Sequence, residues 1–354
     1  MHILLTGGAG FIGARVVEAL LADGHRVRVL DALLGSAHSE PPAIPDGVEF
    51  IHGDLRDEDT VDAALRGVDL VNHHAAMVGR GKEIREAPNY AGNSDLATAV
   101  LIAGMLRRDV GRLVLAGSVV VYGDCRYHCA EHGRVRPRRR ESSDLDAGRF
   151  EPRCPRCGAD VTASAATEDD LPDPPRNMYA VTKLAQELLV AAWAVQTGGR
   201  AIALRYHNVY GPGMPFASPY SGVASTFRSA VAAGEPPRVY EDGGPLRDFV
   251  HLTDVAAANV TALSLPVDGF RAYNVASDTP HTILDLAAAL AEAVGGPPPI
   301  VTGEYRVGDV RHIFATAARL RAESGWRPTV GFTEGVAEFA TAPMRGLAGA
   351  VVPR

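Results

Sequence analysis

Apolar residues fall into two rhythms over the first 200 positions. Short, nearly continuous apolar runs occupy 2–6, 26–31, 48–52, 69–73, 112–116 and 201–205, the pattern of strands covered on both faces. Between them, 11–23, 58–66, 89–108 and 177–196 repeat an apolar residue every three to four positions, the period of a helix with one buried side. Strict alternation of the two predicts an α/β protein of Rossmann type, with a doubly wound parallel sheet and helices on both faces. Beyond about 206 the rhythm loosens. "YGPGMPFASPYSG" is dense in turn formers, and helical spacing returns near 222–233, 282–294 and 333–340. We therefore expect a first domain over 1–205 and a smaller C-terminal α/β substrate-binding domain over 206–354, some of whose segments return to the main sheet. Residues 124–162 fit neither rhythm and form an insert. The closing "MRGLAGAVVPR" carries no pattern and is expected to be mobile.

The first strand runs into glycine. "LLTGGAGFIGARVVEALLADG" spaces Gly7, Gly10 and Gly13 as G-x-x-G-x-x-G between a strand and a helix, with Phe11 and Ile12 inside the turn. In that context the glycines permit a sharp turn, close approach to a pyrophosphate, and tight helix packing. Asp31 ends the second strand, where a carboxylate accepts from ribose hydroxyls and repels a 2′-phosphate; NAD is expected rather than NADP. Asp54, followed by Leu55, ends the third strand and suits an adenine amino group.

"NMYAVTK" places Tyr179 and Lys183 four residues apart on one helical face. A phenol is a poor base at neutral pH unless a nearby cation favours its anion. With that help it can take a proton from an alcohol. Ser118, at the end of the fifth strand, can share that proton.

Composition narrows the field. The net charge of −7 offers no general surface for a polyanion, and no apolar run approaches the ~20 residues that span a bilayer. The first residues lack a basic leader, so a cytoplasmic setting with reduced thiols is expected. All four cysteines sit in the insert, as Cys125-x₃-Cys129 and Cys154-x₂-Cys157. That spacing suits a structural Cys₄ zinc site, with disulfides or free thiols as the other readings. His128 and His132 stand nearby as alternative ligands but are expected to be solvent-exposed loop residues. Arg138, Arg139 and Arg140 are followed by Glu141, Asp144 and Asp146, which favours a solvated loop or subunit contact over nucleic acid.

The motifs "TGGAGFIG", "GDLRD", "HHAA", "SVVVYG", "YAVTK", "LRYHNVYGPG", "RDFVHLTDVA", "YNVAS" and "RVGDVRH" together resemble the extended short-chain dehydrogenase/reductase family, specifically its nucleotide-sugar epimerases and dehydratases. The resemblance implies that Ser118, Tyr179 and Lys183 are the catalytic triad. It places Ala75 and Asn93 on the cofactor side, and Asn208, Arg247 and Arg306 against the substrate's diphosphate and nucleoside. Its dehydratases carry an Asp-Glu pair after the strand-end hydroxyl, and its decarboxylases keep the glutamate. Here Val119 and Val120 follow Ser118. A 4-epimerase is thus implied, working as a homodimer on a nucleoside-diphosphate sugar, with a net-redox dehydrogenase or reductase as the second reading and a non-catalytic dinucleotide sensor as a third. The insert, "SPYSGVASTFRSA" and "VYEDGG" resemble the deoxyhexose-nucleotide epimerases of that family. "RYHNVYG" departs from the family, which more often has an aromatic residue at the place of His207.

Overall fold

The computed structural model describes residues 1–346 apart from 36, 39–41, 80–82, 171, 173–174, 176 and 217–221. Part of the "SPYSG" stretch and the last eight residues lie outside that range. The centre is a seven-stranded parallel sheet in the order Phe270–Val275, Arg200–Tyr206, Arg112–Ser118, Leu70–His73, His2–Thr6, Arg26–Asp31 and Glu49–His52. The first strand pairs with Arg26–Asp31 on one side and Leu70–His73 on the other. The winding direction therefore reverses there, which opens a crevice at the carboxyl ends of these strands. Phe270–Val275 joins the sheet from the second half of the chain, pairing in register with Arg200–Tyr206.

Each face of the sheet has its own apolar layer. One packs Val16, Val17 and Leu20 of helix Phe11–Ala22 with Val255, Ala256 and Ala258 of helix Leu252–Ala262. The second of these helices is absent from the sequence reading. Its buried positions are mostly alanine and asparagine, so its apolar period is faint although its packing is close. The opposite layer joins Val61, Leu101, Met105, Val190 and Trp193 from Glu58–Ala64, Ala97–Arg107 and Met178–Thr197. The expected helix over 89–108 is interrupted: Ala91–Leu96 winds as a π-helix before Ala97–Arg107 continues as α. Among the described residues, no helix is long and apolar enough to cross a membrane.

The C-terminal lobe is built on Asn208–Tyr210, Leu246–His251 and Pro280–Thr282, with helices Val223–Ala232, Ile283–Ala293 and Phe332–Thr341 around a core containing Phe227, Leu286 and Phe339. The insert has its own sheet of Arg126–Cys129, Gly133–Val135 and Thr162–Ser164. The expectation of a mobile tail fails at its start. Residues 343–345 run beside 213–216, linked by Gly213 N to Pro343 O, Arg345 N to Met214 O and Phe216 N to Arg345 O.

Candidate functional site

A cavity of about 500 Å³ opens at the reversal of the sheet. Gly7 and Gly13 shape its floor by close approach. A Cβ on Gly13 would lie 2.2 Å from Gly7 O, and one on Gly7, whose φ is +71°, would lie 2.7 Å from Ala75 N. Helix Phe11–Ala22 begins at Gly10 with no side-chain cap and no acid in its first turn. Its free amides, next to Phe11 and Ile12, are left for an anion. This crevice, the uncapped helix end and a strand-end carboxylate fit a dinucleotide.

Asp31 accepts from Ala9 N at 3.0 Å and Leu33 N at 2.9 Å, so its carboxylate is fixed at the rim. Asp54 lines the cavity with Leu55, but it is already held by Arg56 at 2.6 and 3.0 Å, which keeps its carboxyl below the usual range. Ala75 lines the crevice, and Asn93 reaches it from the π-helical stretch.

The same cavity holds Ser118, Tyr179 and Lys183 at its other end. Asn177 caps helix Met178–Thr197, accepting from Ala180 N at 2.8 Å, so the helix starts one residue before Tyr179. Ser118 is the last residue of its strand, and its hydroxyl accepts from Val120 N at 3.3 Å. Burial raises the Tyr179 phenol, and the Ser118 hydroxyl beside it offsets only part of that rise. The cation expected to lower it acts elsewhere: Lys183 Nζ donates to Ala116 O at 2.9 Å, and burial brings its pKa down to about 8. Among the described lining residues the acids are Asp31 and Asp54. Asp31 ends a strand three places from that of Ser118, or about 14 Å at ordinary strand spacing. Val119 and Val121 are buried in the turn after Ser118. No carboxyl group among the described lining residues therefore stands beside the hydroxyls.

On the substrate side the structure separates what the sequence grouped. Asn208 lines the cavity, its Nδ2 donating to Asp248 O at 3.0 Å. Arg247 and Arg306 do not line it. Arg247 gives its guanidinium to the carbonyls of Leu246, Arg311 and Val310 at 2.8, 2.9 and 3.0 Å. Arg306 lies over the Tyr240 ring, 4.5 Å from its centroid. His207 is 4% exposed, and among the described residues neither ring nitrogen has a hydrogen-bond partner.

The cysteine expectation needs correcting at one ligand. Cys129, His132, Cys154 and Cys157 bring their ligand atoms within 4.8 Å of one another. Cys125 stands apart, its Sγ accepting from Phe314 N at 3.2 Å inside an apolar cluster with Tyr127 and Phe314. His132, read from sequence as an exposed loop residue, takes the fourth place. The signal was present as Cys129-x₂-His132, the same spacing as Cys154-x₂-Cys157. Cys129 Sγ lies 3.7 Å from Cys157 Sγ, and His132 Nδ1 lies 3.7 Å from the sulfurs of Cys129 and Cys154. The edges of a tetrahedral Cys₃His zinc site are about 3.8 Å for S–S and about 3.6 Å for S–N, from ordinary bond lengths. A disulfide would need about 2.05 Å.

The insert is tied to the C-terminal lobe. Glu151 accepts from Arg311 Nε at 2.7 Å and lies 2.9 Å from His312 Nε2. Arg140 pairs with Glu241 at 2.8 Å and donates to Asp309 O at 2.8 Å. A second hollow of about 150 Å³ lies between Arg138–Arg140 and Val307–Asp309.

The sequence profile of the NAD dependent epimerase/dehydratase family matches residues 3–145 and 157–276. A dTDP-L-rhamnose 4-epimerase of Burkholderia thailandensis is 32% identical over 349 residues, with 96% of this chain and 94% of that protein aligned. A UDP-glucose 4-epimerase of Mycolicibacterium smegmatis is 30% identical, covering 96% of this chain and 97% of its own length. The crystal structure of the Thermus thermophilus UDP-glucose 4-epimerase in complex with NAD superposes with a TM-score of 0.76 at 31% identity, over 96% of this chain and 98% of that one.

Proposed function

Since the chain belongs to the NAD dependent epimerase/dehydratase family, we propose that it is an NAD-dependent 4-epimerase of nucleoside-diphosphate sugars. The observation that carries this reading is the composition of the catalytic end: a serine hydroxyl, a phenol and an ammonium, with two valines where elimination chemistry needs carboxyls. Bound NAD supplies an acceptor and donor for one hydride, which lets the sugar C4 pass through a ketone and return with either configuration. The chain's own residues handle protons and position. Tyr179 takes the proton of the 4-hydroxyl and gives it back, with Ser118 bridging. Lys183, fixed at Ala116 O, presents a cation on the tyrosine's face of the helix. Gly7, Gly10, Gly13 and the amides at Phe11 and Ile12 take the cofactor's diphosphate, Asp31 its ribose. Leu55, Ala75 and Asn93 line its path.

We assign the substrate's diphosphate to the lobe bearing Asn208, Arg247 and Arg306. Asn208 is supported by its place in the cavity, and its strand pairs with the one carrying Arg247. In this assignment Arg247 acts by holding the carbonyls of 310–311 at that edge. A deoxyhexose nucleotide is the favoured substrate, in line with the relative from Burkholderia thailandensis. UDP-, dTDP- and GDP-sugars should be compared by NMR for inversion at C4, with the strongest turnover expected for a deoxyhexose nucleotide. Stoichiometric NADH release without inversion would instead mark a dehydrogenase.

Cys129, His132, Cys154 and Cys157 are assigned to a structural zinc, with all four coordination places filled by protein. A reducing, cytoplasmic setting that keeps these thiols free for metal goes with it. A homodimer is supported by an apolar stripe on two adjacent helices. Val181, Leu188 and Val195 recur every seventh residue of Met178–Thr197 at 38, 62 and 82% exposure, and Leu96 and Leu106 are exposed on the neighbouring helical segment. Light scattering on the purified protein should give twice the chain mass, and Leu188→Glu with Val195→Glu should shift it towards monomer. A wild-type monomer at micromolar concentration would refute the assignment.

A further inference from the structure

One cation at the dinucleotide crevice belongs neither to the glycine turn nor to the catalytic end. Arg345 reaches it from the far end of the chain. Helix Phe332–Thr341 ends against Arg228, whose Nε donates to Phe339 O at 3.0 Å. The next residues are sewn to 213–216 by three backbone hydrogen bonds of 2.9 to 3.2 Å. This strap lays the Arg345 side chain into the large cavity. Its Nη1 donates to Ala9 O at 3.0 Å, one residue before the uncapped start of the first helix.

The pairing there is incomplete. Among the described residues Arg345 makes no salt bridge, and no acceptor takes its remaining guanidinium nitrogens; Asp31, on the same cavity, acts on it through space without bonding it. A partly buried guanidinium is ordinarily matched by an anion. The anion this crevice is shaped to hold is a diphosphate, and a planar fork with free donors suits it.

We propose that Arg345 is a cofactor-binding residue, whose guanidinium, delivered by the C-terminal strap, contacts the diphosphate of NAD and slows its exchange. The inference rests on the dinucleotide reading of the cavity. It also meets a need of the chemistry: an enzyme that returns every hydride it takes gains nothing from releasing its cofactor between turnovers.

The test uses purified full-length protein, Arg345→Ala and Arg345→Lys. NAD per chain is measured after acid extraction, and exchange of bound NAD against isotope-labelled NAD is followed by mass spectrometry. Losing one charge-assisted hydrogen bond should speed exchange by about ten- to a hundredfold, with NAD occupancy falling in step. The lysine variant should lie between. Circular dichroism melts check that all three are folded. Wild-type occupancy and exchange in folded Arg345→Ala would overturn the inference. So would an effect confined to NADP, which would place the guanidinium at a 2′-phosphate. If wild-type protein neither retains nor binds NAD, the dinucleotide reading itself fails and takes this inference with it.

Discussion

Tyr179→Phe is expected to lower kcat for C4 inversion by about a hundred- to ten-thousandfold, the usual worth of one positioned acid–base group. The substitution removes a single hydroxyl and leaves the ring in place, so NAD content and melting temperature should match wild type. That split separates a proton-transfer role from a structural one. Because the group acts as a base and burial raises its pKa, kcat/KM of the wild type should climb as pH rises towards the alkaline side. The residual activity of Tyr179→Phe should lose this rise. Inversion within fivefold of wild type would remove Tyr179 from the mechanism.

If the Cys/His cluster of the insert holds zinc as proposed, removing one of its ligands should produce the largest structural effect. One zinc per chain is expected by mass spectrometry of the metal content. His132→Ala and Cys154→Ser should lose it, whereas Cys125→Ser should keep it, since Cys125 lies outside the cluster. Structural zinc sites of this kind contribute about 10–16 kcal/mol of apparent binding energy, far more than a small three-stranded sheet supplies for itself. The insert should therefore unfold locally. Its ties through Glu151 and Arg140 would be lost with it, leaving His312 without its carboxylate partner while Arg311 keeps Glu241 and Asp242 in the C-terminal lobe. KM for the nucleotide sugar should then rise more than kcat falls. Metal-free wild type with reduced thiols and an intact fold would end the zinc assignment, as would loss of zinc in Cys125→Ser.

These cases show where sequence carries information and where it does not. The parallel sheet was legible because strands covered on both faces must be apolar throughout, and the glycine turn because close approach demands it. Tyr179 and Lys183 were legible because helical spacing alone puts them together. Helix Leu252–Ala262 was not, since alanine and asparagine bury well but barely register as an apolar stripe. The Cys/His cluster differs from the four-cysteine expectation by one residue, because counting sulfurs outweighs the repeated x₂ spacing that singles out His132. Arg247 stands out in sequence only through the motif it sits in; its partners Val310 and Arg311 lie more than 60 residues away, and no local pattern reveals them. Arg345 sits in a tail with no period at all; only its three-dimensional neighbours give it a role.

The π-helical stretch Ala91–Leu96 ties which side chain faces the cavity to the number of residues it contains. Such a turn houses one residue more than an α-helical path between the same ends, and each residue advances the helix by about 100°. The extra residue lets Asn93 face the cavity out of step with the helix that follows, while Leu101 and Met105 stay in the core. When relatives are aligned across this stretch, a regular helix must be given a one-residue gap. Without it, a different side chain is matched to Asn93 and every position upstream in the helix is compared with the wrong face.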